Sequence, residues 1–200
     1  MVEIKARYDQ VENARQKVGG LAFFSGKYKK DREWHVLGAI QQLLIRAGIN
    51  APTHAQEHES PDFYTFFPDG ERWASIEVVE VLRPDYKRQD SYKRAALPDS
   101  PVFQSVPPRL EQPWQPLREQ IISKASKNYP NGTCLFVYYD IGRFSFNDWT
   151  TPFNDLLLTE HARAPFIGID TFQRVLVLSS DMKSLVELYP TPTTIVPDRQ

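Results

Sequence analysis

Two carboxylates stand where a plain β-hairpin would carry none. Asp62 follows Pro61 at the head of an aromatic run ending at Phe67, and Glu77 interrupts the apolar run Ile76 to Leu82. A carboxylate inside an apolar strand is costly to desolvate unless something pairs with it. A divalent cation does so, and two carboxylates on neighbouring strands form the simplest magnesium site, because that ion keeps several of its waters. Glu33 and Lys124 join them as candidates: an acid on the first strong helix and a cation on the second.

The elements that must position these four residues follow from periodicity. Glu59 to Leu82 reads as a hairpin whose arms flank Pro68-Asp69-Gly70-Glu71, with Asp-Gly as the turn chemistry. Strand side chains alternate, so Glu80 points to the face opposite Glu77. Asp31 to Ala47 reads as a helix closed by Gly48, with Leu37, Ile40, Leu44 and Ala47 as its buried stripe. Glu33 lies on that stripe at its N-terminal end. Two readings of it stand: a first-turn acid complementing the helix dipole, or a third carboxylate aimed at the hairpin. Gln115 to Tyr129 reads as a second helix, with Leu117, Ile121, Ile122, Ala125 and Tyr129 as its apolar face. Lys124 lies on the edge of that face and Lys127 off it. A snorkelling stem explains Lys124 as readily as a role in chemistry does.

Pro61-Asp62, fourteen intervening residues, then Glu77-Val78-Val79 resembles the PD-(D/E)XK nuclease superfamily, the restriction-endonuclease-like fold. The resemblance implies an αβββαβ core with a mixed central sheet flanked by helices. It also implies magnesium or manganese held by Asp62 and Glu77, and a metal-dependent phosphodiesterase acting on DNA rather than RNA. An acid on the first helix, here Glu33, matches in order and orientation. The sequence departs from the pattern at Val79, where the family has its strand lysine. Some members take that lysine from the following helix, which makes Lys124 the candidate. The order of elements covers about residues 30–180, with the first of the three strands unassigned or supplied by 49–58. Val79 also leaves an alternative open: a catalytically inactive relative serving as a nucleic-acid-binding or regulatory module. A homodimer is compatible with either reading.

Length and composition suit this. Two hundred residues at 41% hydrophobic and 24% charged fit one globular domain, with a Pro-rich basic insertion at about 83–116 holding seven of the sixteen prolines. Within it, Lys87, Arg88, Lys93 and Arg94 interleave with Tyr86 and Tyr92, a pattern suited to phosphate contact and base stacking. A flexible insertion with a short helix fits the same stretch. The net charge of −1 gives no global argument for nucleic acid, but residues 83–127 hold nine Lys/Arg against five Asp/Glu, and 130–200 hold five against eight.

No apolar run approaches the length of a membrane span, and the N-terminal residues lack a signal peptide's apolar centre, so a cytoplasmic protein is expected. The single cysteine, Cys134, reads as a buried thiol. His54 to His58 spells H-x-x-E-H, but Pro52 and Pro61 bracket it and no apolar stripe anchors a helix, so an exposed polar loop is expected rather than a zinc-protease site. Elsewhere, Asp9 to Val18 reads as a helix and Leu21 to Phe24 as an apolar plug. Thr133 to Asp140 and Arg174 to Leu178 read as buried strands, and Phe153 to Arg163 as a helix. A short helix capped by Ser180 then turns Met182, Leu185, Val186 and Tyr189 inward, ahead of an extended or frayed Pro/Thr tail.

Overall fold

Thr133 to Asp140 is apolar at nearly every position, which suits a strand covered on both faces. In the computed structural model, which describes residues 1–18, 28–82, 110–141 and 151–196, it lies at the centre of a mixed sheet. The strands are β1 (Val2–Glu3), β2 (His54–Glu57), β3 (Phe63–Phe66), β4 (Arg72–Leu82), β5 (Thr133–Asp140), β6 (Arg174–Ser179), β7 (Leu185–Tyr189) and β8 (Thr193–Val196). They line up in chain order in one eight-stranded sheet. β4, β5 and β6 run parallel, and the pairs on either side of them are antiparallel. The helices are α1 (Ile4–Val18), α2 (Lys29–Arg46), α3 (Gln115–Ala125) and α4 (Phe153–Arg163). Both parallel crossovers contain a helix: α3 precedes β5, and α4 precedes β6.

Alternation along the central strands divides the interior into two cores. Ile76, Val78, Cys134, Phe136, Tyr138, Leu176 and Leu178 pack with Leu37, Ile40 and Leu44 of α2. Val79, Val81, Leu135, Val137, Tyr139, Val175 and Val177 pack with Leu117 and Ile121 of α3 and Leu157 of α4. Each core anchors one of the helices that the site draws on. α1 is strapped to α2 by a close approach at Gly38, where an added Cβ would fall 2.5 Å from the Tyr8 ring. The Tyr8 ring stacks on buried His35, which shares Glu12 with Arg15.

α3 is tied to α4 by Arg118. Its guanidinium donates to Glu160 Oε1 at 2.7 Å and to the Ala164 carbonyl at 2.8 Å, and it lies over the Phe166 ring. Burial opposes ionisation of Glu160, but Arg118 and Arg163 more than offset it and hold the carboxyl below its usual range. Among the described residues no helix is long and apolar enough to cross a membrane.

The structure corrects several sequence expectations. Residues 185–189 are a strand rather than a helix: Asp181 Oδ1 accepts from Ser179 Oγ and the Lys183 amide, Met182 takes a left-handed φ of 58°, and the chain folds back on β6. Of the two readings of the tail the extended one holds: it forms β8 as far as Val196, held where buried Asn154 donates to the Val196 carbonyl and accepts from Ser184. α1 begins five residues earlier than expected, and α3 stops at Ala125, four before Tyr129. Ile122 and Ala47 are exposed rather than buried. The expected plug at Leu21 to Phe24 lies outside the described residues.

Candidate active site

The hairpin brings the two carboxylates level. β3 and β4 pair with Phe63 opposite Ile76 and Tyr64 opposite Ser75, and extending that register by one residue sets Asp62 against Glu77. The Val78 amide donates to Asp62 Oδ2 at 2.8 Å, so a main-chain group of β4 fixes the Asp62 side chain. Glu77 shares its face of β4 with Val79 and Val81, the face toward α3. Glu80, on the other face, pairs with Arg32 of α2 at 3.7 Å, as alternation requires.

Lys124 reaches Glu77 from the opposite layer. Leu117 and Ile121 are fully buried against the sheet, and one turn later Lys124 Nζ lies 2.5 Å from Glu77 Oε1. Lys127 is exposed. The other Glu77 oxygen, Oε2, is buried without a hydrogen-bond partner. Tyr129, just past the end of α3, has a buried hydroxyl that also lacks a partner of hydrogen-bond geometry. Burial first, and then the charge of Glu77, raises its phenol well above the usual range, so Tyr129 stays protonated and can only donate to an anion.

Glu33 sits at the start of α2 with its side chain 7% exposed. Lys29 Nζ lies 3.4 Å from its Oε1, and Lys30 Nζ lies 2.9 Å from its Oε2, off the axis of a hydrogen bond. Lys30 also comes within 3.7 Å of Asp62 Oδ1. Burial pushes Asp62 up to about 6. The Val78 amide opposes that rise, the charges of Glu77 and Glu33 add to it, and Lys30 offsets part of it. Three carboxylates thus meet three ammonium groups, and Glu77 Oε2 is the oxygen left over.

The sequence-predicted residues Asp62, Glu77, Glu33 and Lys124 therefore fall in one neighbourhood. Lys87, Arg88, Lys93 and Arg94 lie outside the described residues. The H-x-x-E-H segment is strand rather than loop. His54 contacts Thr53, and His58 contacts Ser60 and lies tilted against the Tyr64 ring, so the two rings share no helical face. Among the described residues no group of three or more His, Cys, Asp or Glu could hold a metal ion. Glu59 is exposed in the turn between β2 and β3. Cys134 is buried and free, its thiol pushed up to about 12 by burial and so inert as a nucleophile.

Sequence reasoning missed Lys30 and the hydroxyl of Tyr129. Lysines three and four residues before an acid on a helix were the available signal for Lys30. Nothing in the sequence marked Tyr129 as more than apolar filling. No protein family matches the chain, and neither a curated protein nor a solved structure matches it.

Proposed function

We propose that this chain is a magnesium- or manganese-dependent phosphodiesterase of the PD-(D/E)XK type, acting on DNA. The observation that carries the reading is the contact of Lys124 with Glu77, level with Asp62. It puts a helix-borne ammonium beside the carboxylate whose strand lysine is replaced by Val79. The order α2, β2, β3, β4, α3, β5 agrees with the αβββαβ core of that superfamily, with β2 supplying the first strand.

The donor set suits a hard cation. Asp62 and Glu77 supply oxygens alone, and Glu77 Oε2 is a buried acceptor that makes no hydrogen bond of good geometry, the Tyr129 hydroxyl being the donor directed at this carboxylate. Magnesium uses one or two protein carboxylates and keeps its waters, so a cluster of three protein ligands is not required. When bound, the ion would polarise the phosphate and neutralise its developing charge. In this reading Lys124 holds the attacking water or the phosphate oxygen. Glu33 keeps Lys29 and Lys30 at the rim, and Tyr129 presents a permanent donor toward the same carboxylate.

A second reading rests on the same contact. Lys124 already compensates the charge of Glu77, and that suits a fold kept for binding rather than catalysis. Nicking of supercoiled DNA in manganese separates the two. The enzyme reading expects activity in wild type, its loss in Asp62→Asn and Lys124→Ala, and near-wild-type rates in Lys127→Ala. A wild type that cuts neither DNA nor RNA would leave the binding module as the account.

A further inference from the structure

Lys30 sits at the solvent edge of the site's carboxylates. Its ammonium lies 2.9 Å from Glu33 Oε2 and 3.7 Å from Asp62 Oδ1, and donates to the His58 carbonyl at 3.5 Å. The stem passes the edge of the site with the Phe63 ring 5.9 Å from Nζ. Its side chain is 47% exposed, whereas those of Glu33 and Asp62 are 7% and 8% exposed. A half-exposed cation is thus bound by two buried anions. Lys30 is the solvent-facing member of the cluster, and a cation that takes over the compensation of the buried carboxylates lets it leave without stranding their charge.

We propose that Lys30 is an exchangeable counter-ion of the site: its ammonium neutralises Asp62 and Glu33 until a divalent cation arrives at Asp62 and Glu77 and displaces it toward solvent. The inference rests on the metal reading above and adds regulation to it. Asp62 has the Lys30 ammonium 3.7 Å from its Oδ1 and stands level with Glu77, whose Oε2 is buried without a hydrogen bond of good geometry. A doubly charged ion serves both carboxylates at once, which the single charge on Lys30 cannot do. Lys30 therefore competes with metal, and removing it tightens metal binding. Lys29 is the natural control. Among the described residues its ion pair is with Glu33, at 3.4 Å, and its side chain is 72% exposed.

The test is calorimetric titration of Mn2+ into the full chain at pH 7.5, with no substrate present. Lys30→Met keeps the stem and removes the charge, and should tighten Mn2+ binding by roughly three- to tenfold, the effect of one partly screened charge. Lys30→Gln, a second neutral variant, should do the same, and Lys29→Met should stay within about twofold. Affinities unchanged or weaker in both Lys30 variants, with wild type still binding Mn2+ through Asp62, would overturn the exchange and leave the metal reading standing. Equal tightening by Lys29→Met would also overturn it, since a diffuse field would then suffice. Failure of both wild type and Lys30→Met to bind Mn2+ would remove the metal reading and the exchange with it.

Discussion

Lys124 Nζ lies 2.5 Å from Glu77 Oε1, joining α3 to β4 across forty-seven residues of sequence and through the edge of the second core. Both side chains are largely buried, 17% and 6% exposed, so the pair lives in a medium where a charge left alone is costly. Lys124→Met should destabilise the protein by roughly 2–4 kcal/mol in urea unfolding, and adding Glu77→Gln should recover most of that loss. Lys127→Ala should change stability by less than about 0.5 kcal/mol. A double variant no more stable than Lys124→Met would mean that the pair is not coupled.

Asp62 sets a pH dependence whose direction is fixed by its burial. Folded Asp62 titrates at about 6, and the unfolded residue near 3.8, so the native state holds the extra proton between those values. In metal-free buffer, stability should fall as pH rises from about 4 to about 6, by on the order of 3 kcal/mol from this group, and stay lower above that range. Asp62→Asn cannot ionise, so the difference between the two stability curves isolates the group. Parallel curves from pH 4 to 7 would refute the assignment.

How far the sequence led depended on whether a residue's partners were local. The β3–β4 hairpin, α2 and α3 were legible because turn chemistry and a 3.6-residue stripe are short-range signals, and Asp62, Glu77, Glu33 and Lys124 came with them. Residues 185–189 were misread because Leu185, Val186 and Tyr189 satisfy helical spacing too. What decides for a strand is pairing with β6 through the Asp181 turn. β8 was hidden for the same reason: its place depends on Asn154, forty-two residues away from Val196. Tyr129 was visible only as an apolar position, since the carboxylate its hydroxyl meets comes from another layer.

Gly38 lies within α2, where alanine would ordinarily raise helix stability by up to about 1 kcal/mol. Here a Cβ would stand 2.5 to 2.7 Å from three atoms of Tyr8, a clash neither helix relieves without moving apart. Gly38→Ala should therefore lower stability by about 1–3 kcal/mol, and Tyr8→Ala combined with it should cost less than the sum of the two single changes. Thermal or urea unfolding of the cycle checks this, and a stabilised Gly38→Ala would refute the close packing.

The hydroxyl of Tyr129 is buried without a hydrogen bond of good geometry, which costs about 1–3 kcal/mol relative to a satisfied group. Tyr129→Phe keeps the ring against Phe172 and removes that group. In metal-free buffer it should be neutral or stabilising, by up to about 1 kcal/mol. A loss greater than that would show a hydrogen bond stronger than the geometry allows.

The last prediction concerns the basic stretch. In the proposed DNA-acting reading, Lys87, Arg88, Lys93 and Arg94, which follow in sequence the strand that carries Glu77, are candidates for phosphate contact. Binding through phosphates releases counterions, and each contact contributes about 0.9 to the slope of log affinity against log salt on duplex DNA. Replacing all four by Ala should therefore reduce that slope by about three to four, and should weaken binding of unrelated sequences alike, since phosphate contacts carry no sequence information. Measuring the binding in Ca2+, across salt concentrations and with Asp62→Asn as background, separates DNA binding from cleavage. A slope unchanged within one unit would refute a phosphate-binding role for the stretch in the proposed DNA-acting reading.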